Sequence, residues 1–424
     1  MGHSVYRDIQ LEKEYPGDLR NRVVGARLQK DGKLPYHYYQ YPGDGMRYYD
    51  MENHIRTSSS PSNITASPFF HELLFPICDL PQRTISIIWL WLQYIFLIAI
   101  TGMICSFTSF RGNKWLLVNF AVLFTATEAW IEVISSGQLY FAEAFLMTCT
   151  LFFLTRNKKT GKVIAGILAA MFVLTRPIAI VMFIPFLFYY KEYLVFLLTA
   201  FCALALYGLF VLTNPYEKAL YEDYVSGMKM HVQNHQSLAG RPRPILQYDD
   251  MHNLNLEGFD FNEVLKERSE HPHKDFPEDG NIFVLYMLVT HHKMPIAILN
   301  MLSVLTIGIL SILFFYRNKK IPVKTEQILV FGFTLYMVVE LFNPVHRHQY
   351  NSVQWFPLVM ASLIPVRTWK DPVFLLMTLG LLLNLCNFSW LPMRHTLGEF
   401  YWLTALLLSV LSSPYNLLTW KKPS

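Results

Sequence analysis

Polar and apolar positions are segregated along this chain. Residues 1–82 are mainly polar, and near-continuous apolar runs follow, among them Leu90–Ser106, Leu194–Leu212, Ile296–Phe315 and Val373–Leu385. A bilayer's hydrocarbon core needs about 20 residues of helix to cross, so such runs predict transmembrane helices. Buried helices of one large soluble core are the competing reading, and the runs are too many for a single core. The pattern predicts eleven spans: 84–108, 114–134, 139–155, 163–175, 177–190, 193–212, 294–316, 325–342, 350–366, 372–388 and 399–419. The spans 163–175 and 177–190 are short, each covering ~20 Å of a ~30 Å core. One kinked helix over 163–190 is the alternative. Two short helices meeting at Thr175-Arg176-Pro177 are preferred because they keep the later basic loops together. Non-helical backbone at that depth needs protein or a wet cavity beside it.

The connections set the orientation. Arg111–Lys114, Arg156–Lys162 (RNKKTGK), Lys191, Arg317–Lys324 (RNKKIPVK), Arg367–Lys370 and the tail Lys421-Lys422 are basic. Ser135–Gln138, Arg176, Asn343–Gln349 and Ser389–Gly398 are the other short connections. With eleven spans every strongly basic loop falls on one side, which the positive-inside rule makes the cytoplasm. Residues 1–82 and 213–293 then form two large extracytoplasmic loops, with helices over 83–212 and 294–424 and a cytoplasmic C-terminus. Residues 1–82 hold no signal peptide or apolar run that could carry them across. We therefore expect a further transmembrane helix upstream of Met1, for a total of twelve.

Composition agrees with this reading. The 424 residues are 53% hydrophobic and only 16% charged, against about 25% charged in an ordinary soluble domain. A net charge of +5 with no basic stripe excludes nucleic acid as a partner. The five cysteines form neither a disulfide framework nor a zinc spacing. Large outer loops without internal repeats favour a membrane-surface enzyme over a transporter.

Several residues carry candidate chemistry. Asp18 follows Pro16-Gly17 and precedes Leu19, Val23 and Ala26, which predicts an amphipathic helix lying at the interface with Asp18 as its N-cap. A capping role needs no catalysis, so both readings stand. Arg20 and Arg27 share a face of that helix. Asp44 and Asp50 are turn-type residues and rank below Asp18. Arg176 lies at membrane depth, where an arginine faces a polar cavity or an anion, or snorkels to the interface. Glu128, Glu132, Glu143 and Glu340 either line a cavity or bond between helices, and the second reading is preferred. Asn343–Tyr350 (NPVHRHQY) has an anion-binding composition, with a solvated basic turn as the alternative. His271-Pro-His273 with Asp275, and Asp249-Asp250 with His252, lack a recognised metal spacing and read as solvated loop. No P-loop, GxSxG or HExxH is present.

The segment DLRNRVVGARLQKDGKLPY, with Gly32, Pro35 and Tyr36 at its end, resembles the region after the first helix in the glycosyltransferase-C enzymes of family 87, the polyprenol-phosphate-mannose-dependent mannosyltransferases. The stretch from SSGQLYFAEAF to FLFYYKEY is similar to a second signature of that family through Gly137, Gln138, Gly166 and Pro177. NPVHRHQYNSVQWFPL is similar to a third through Pro344, His346, His348 and Pro357. The departures are the absent first helix, a His-Arg-His in place of paired histidines, and Arg176 where the family usually has Lys. Residues 37–82 and 213–293 resemble the family weakly.

The resemblance implies an all-α polytopic membrane protein of glycosyltransferase-C type. It implies transfer of a sugar, mannose by preference, from a polyprenyl-phosphate-linked donor to a lipid or glycan acceptor. The setting it implies is the extracytoplasmic face of a bacterial inner (plasma) membrane, among membrane lipids. Asp18 would be the general base. Arg20, Gln138, Arg176, His346, Arg347 and His348 would bind substrate, the cations among them facing the phosphate leaving group. No cofactor or metal is implied. A flippase or transporter of lipid-linked sugars, an O-antigen-polymerase-like enzyme or a lipid A modifier, and a non-enzymatic scaffold are the rival classes.

Overall fold

Inside a bilayer no water serves the backbone, and helix satisfies its N–H and C=O groups within the segment. The computed structural model shows that outcome. It describes residues 2–12, 16–38, 46–50, 64–156, 158–236, 255–256, 259–260, 280–319, 323–345, 347–366, 368–385, 391 and 393–411. In chain order the helices are α1 (Gly2–Leu11), α2 (Gly17–Lys30), α3 (Pro68–Leu74), α4 (Gln82–Cys105), α5 (Arg111–Phe124), α6 (Glu128–Ser136), α7 (Tyr140–Thr155) and α8 (Lys159–Thr175). They continue as α9 (Ile184–Phe188), α10 (Tyr190–Thr213), α11 (Pro215–Gln236), α12 (Ile282–Thr290), α13 (Ile296–Asn318) and α14 (Thr325–Leu341). The last are α15 (Phe356–Leu363), α16 (Pro372–Leu385) and α17 (Arg394–Leu411). Two-residue strands, Asn255–Leu256 and Phe259–Asp260, pair antiparallel.

Among the described residues three helices are long and apolar enough to cross a membrane: Gln82–Ser106, Tyr190–Thr213 and Ile296–Asn318. The pair α5 and α6 makes a fourth if its 56° bend is one broken span. The sequence predicted eleven. Part of the difference comes from backbone breaks that hydropathy does not see, and the predicted spans 372–388 and 399–419 run past the described residues. Pro177–Phe183 and Gln349–Trp355 are 3-10 turns, each followed by a short helix with proline in its first turn. Helices α7, α8, α14 and α16 are 16, 17, 17 and 14 residues long, or about 21–26 Å at 1.5 Å per residue. The long helices expose apolar stripes suited to lipid, such as Ile87, Trp91, Ile95 and Ile98 on α4 and Val304, Ile309 and Ile312 on α13.

The chain forms two compact units: Met1–Gln93 with Glu132–Gln138 and Leu206–Phe276, and Tyr94–Ile131 with Leu139–Ala205 and Pro277–Ser424. In the first unit α2 is buried on every side from Leu19 to Gln29. It is therefore not an amphipathic helix lying at an interface. Its polar side chains are taken up by protein. Arg20 donates to the carbonyls of Tyr49 (2.6 Å) and Met46 (2.7 Å). Arg27 donates to those of Cys78 (2.6 Å), Leu80 (2.9 Å) and Arg47 (3.0 Å). Gly25 admits α3, because a Cβ there would lie 2.5 Å from His71 Nε2. Val24, Leu28, Tyr36, Tyr48, Ile64 and Leu220 close the core.

In the second unit α14 is buried almost throughout, from Gln327 to Leu341. Phe331 stacks on Phe314 with ring centroids 4.2 Å apart. Gly332 lets α14 meet the Pro177–Phe183 turn, since a Cβ at Gly332 would overlap the carbonyl oxygen of Met182. Gly332→Ala should destabilise the protein by about 1–3 kcal/mol through this overpacking. A lowered unfolding temperature in detergent checks it, and Gly308→Ala, with open space around its Cβ, serves as the control.

Candidate functional site

Asp18 sits in the first turn of α2, where a carboxylate is favoured by the helix dipole. It is not the N-cap: Pro16 holds that position without a side-chain bond. Asp18 is partly exposed, and its Oδ2 accepts a hydrogen bond from Gln138 Nε2. Gln138 is 1% exposed, and its Oε1 accepts from Arg22 Nη2 at 2.5 Å. Only one orientation of the amide satisfies both neighbours, so Gln138 is locked between a cation and an anion. Gly137 makes this approach possible. Its φ is +70°, and a Cβ would overlap Leu19. The turn before α7 thereby brings Gln138 onto the start of α2.

Arg22 is a residue that sequence reasoning missed. It is 4% exposed, and its Nε and Nη1 have no hydrogen-bond partner among the described residues. Its place in the segment after Asp18, four positions on, was the available signal. Arg20, which the sequence placed with substrate, spends its guanidinium on backbone carbonyls and on Gln82 Oε1 at 3.4 Å. Asp50 is fully buried. Asp44, His346, Asp249, Asp250, His252, His271, His273 and Asp275 lie outside the described residues.

The same unit holds two perturbed groups on α3. His71 is buried, and burial, helped by the nearby positive charge of Arg22, pushes its pKa down to about 3. It is therefore neutral near pH 7. Burial raises Glu72 to about 7, against the opposing hydrogen bond from Tyr207 and with the added repulsion of Glu217. That hydrogen bond runs from the Tyr207 hydroxyl to Glu72 Oε1 at 2.7 Å.

The second unit contains a separate polar cluster. Arg176 makes a two-pronged pair with Glu340, Nε to Oε1 at 2.8 Å and Nη2 to Oε2 at 2.9 Å. Arg347 reaches the same carboxylate through Nη1 at 3.3 Å. It also grips Glu399 with Nε at 2.9 Å and Nη2 at 3.0 Å. Ser352 Oγ completes Glu399 at 2.7 Å. Two guanidiniums thus meet two carboxylates, and the cluster is electrically balanced. Arg176 lies over the Tyr140 ring at 5.6 Å, Tyr140 stacks on Tyr350 at 5.5 Å, and Tyr350 stacks on His348 at 5.0 Å. The structure therefore brings Arg176 and Arg347 together through Glu340, and links His348 to Arg176 through two tyrosine rings. Glu399, Tyr140 and Tyr350 were not legible as partners in the sequence.

Other membrane-depth carboxylates bond between helices. Glu128 on α6 pairs with Arg394 and lies 3.3 Å from His395 Nε2 on α17. Glu143 accepts from Gln354 Nε2 at 2.5 Å. Among the described residues no group of three His, Cys, Asp or Glu is placed to hold a metal ion.

Residues 65–246 match the family model of glycosyltransferase family 87. The match supports the family-level assignment and covers less than half of the 424 residues. It includes Gln138 and Arg176 and stops short of Asp18 and of the Arg347 cluster. No curated protein and no solved structure matches the chain. The match to family 87 and the apolar helices together point to a membrane glycosyltransferase, an activity that takes a donor and an acceptor.

Two outcomes test this geometry. Glu72 binds its proton more tightly in the folded protein, with a pKa of about 7, than in the unfolded chain, where it has the ordinary value of 4.5. The folded state thus carries a proton that the unfolded state has lost across that window, and raising pH costs stability there. The unfolding temperature of Glu72→Gln minus that of wild type should therefore rise from pH 4.5 to pH 7 and then level off. Glu399→Gln should destabilise by about 3–5 kcal/mol, because it strips charge from the buried Arg347. Chemical denaturation in detergent checks it.

Proposed function

We propose that this chain transfers a sugar, mannose by the family resemblance, from a polyprenyl-phosphate donor to a lipid or glycan acceptor at the extracytoplasmic face of a bacterial inner membrane. The observation that carries the proposal is the Asp18 carboxylate, partly exposed and aimed by a buried glutamine that a buried arginine holds in turn. A general base needs this kind of fixed orientation and an open oxygen.

In the proposed reaction Asp18 takes the proton of the acceptor hydroxyl as that oxygen attacks the anomeric carbon. The bond from that carbon to the phosphate oxygen breaks, and the lipid phosphate leaves with the electron pair. Gln138 orients the carboxylate and Arg22 orients Gln138. We assign Arg176 to the donor phosphate. Its side chain is 27% exposed against 3% for Arg347, so it keeps a face for a ligand while paired to Glu340. Guanidinium suits phosphate because its donors form a planar fork. The hydroxyl, the sugar and the leaving phosphate all come with the two substrates, so the reaction calls for no nucleotide.

Membranes supplied with radiolabelled polyprenyl-phosphate mannose should move label into lipid or glycan. Asp18→Asn, expressed to the wild-type level, should lower that transfer by about 10²–10⁴-fold, the range for loss of a general base. Equal transfer by the two proteins would remove Asp18 from the chemistry. Label that crosses the membrane still attached to its lipid would favour a flippase. Arg176→Gln should raise the KM for the donor.

A further inference from the structure

Helix α5 stops at Phe124 and α6 starts at Glu128, and the two are bent by 56°. The predicted span 114–134 runs through this break, so irregular backbone falls inside an apolar segment. Such backbone is tolerated at membrane depth where protein buries it or a wet cavity lies beside it. Thr125 and Thr127 are fully buried. Thr127 Oγ donates to the Phe124 carbonyl at 2.7 Å and accepts from the Trp130 N–H at 3.2 Å, which caps α6. Glu128 is more open. Its side chain is 27% exposed, about 10 Å along the helix axis from Ser135.

Buried groups aim this carboxylate. Oε2 takes Arg394 Nη2 and faces His395 Nε2 at 3.3 Å. Both partners come from α17, and their side chains are 1% exposed. Behind them His395 Nδ1 meets Asn384 Oδ1 at 2.8 Å, and Asn384 Nδ2 donates to the Gly380 carbonyl at 3.0 Å, which fixes the amide's orientation. Glu128 Oε1 has no hydrogen-bond partner among the described residues and keeps accessible surface. An ion pair that only joined helices would need no open oxygen. At membrane depth an open carboxylate faces a polar cavity, because lipid cannot solvate it.

We propose that Glu128 binds a sugar hydroxyl in a wet recess at the break between α5 and α6. The inference rests on the transferase reading. Charge selects the ligand. Arg394 already balances Glu128, so an ammonium would gain little there. An outermost carboxylate repels phosphate. An ionised carboxylate only accepts, so a neutral O–H is the donor that completes Oε1. The contact asks for one hydroxyl at an open oxygen and does not need the ring enclosed. His395 lies one turn before Glu399 on α17. Glu399 holds Arg347, which reaches Arg176 through Glu340. The recess therefore adjoins the polar cluster that contains the cation assigned to the donor phosphate. Donor sugar and acceptor glycan carry the same hydroxyl chemistry, and the experiment separates them.

The test measures binding of each probe alone to the purified full chain in nanodiscs. The probes are polyprenyl-phosphate mannose, bare polyprenyl phosphate and octyl mannoside. One variant joins Glu128→Leu to Arg394→Met, because replacing both members of a buried pair by apolar residues spares the fold. It should unfold near the wild-type temperature and lose about 10–100-fold in affinity for a mannose-bearing probe, the worth of one hydrogen bond to a charged group. Glu128→Gln keeps the shape and a weaker acceptor, and should lose less. Bare polyprenyl phosphate should bind all three proteins alike. A loss confined to polyprenyl-phosphate mannose identifies the donor sugar, and one confined to octyl mannoside identifies the acceptor. An arm without variants uses a water-soluble carbodiimide and an amine, which should label Glu128 in the wild type, with protection by the mannose-bearing probe. Absence of label, label without protection, unchanged affinities in a folded variant, or an equal loss for the bare lipid overturns the proposal. Wild type that binds mannose at Glu128 without transferring it sinks the transferase reading alone. Transfer that depends on Asp18, with affinities that ignore Glu128, sinks only the present inference.

Discussion

A buried arginine must be surrounded by acceptors, and the first unit is built around that demand. Arg20 and Arg27 stand seven positions apart on α2, on one face, and between them they take five backbone carbonyls from residues 46–49 and 78–80. Carbonyls that end turns have no ladder to join, and guanidinium forks satisfy several at once. These bonds tie two irregular segments to a helix that is otherwise enclosed by apolar packing. Because α2 is clamped along its length, its first turn is held rigidly, and Asp18 is delivered to Gln138 at a fixed angle.

The second unit meets the same demand with carboxylates. Glu340 is shared between Arg176 and Arg347, and Glu399 closes the other side of Arg347. Removing two charges from water is repaid only when each is paired and its remaining sites are bonded. Ser352 and the Asn351 carbonyl supply those remaining bonds. Arg176 differs in being partly open and in resting against a tyrosine. A cation already balanced by one carboxylate can lend its outer face to a phosphate without the penalty of an uncompensated charge.

Much of this was legible in the chain. Apolar runs announced helices, and the acidic residue at the start of a basic helical stretch drew attention to Asp18. The misreadings share a physical cause. Alternation of Leu19, Val23 and Ala26 with arginines looks like one apolar and one wet face, yet the arginines are buried because backbone carbonyls from other segments receive them. Pro16 rather than Asp18 caps α2, and it does so without a side-chain bond. Hydropathy counted Pro177–Tyr190 and Tyr350–Val366 as spans, but the backbone there divides into 3-10 turns and short helices.

The sequence by itself determined the helical character, the apolar surfaces that suit lipid and the residue types able to do the chemistry, because these follow from local composition and periodicity. Only the tertiary structure decided which of many arginines are spent and which keep free donors. Gln138 meets Arg22 across 116 positions and Asp18 across 120. Such pairs depend on a left-handed glycine closing against a distant helix, and no pattern within either segment encodes that approach.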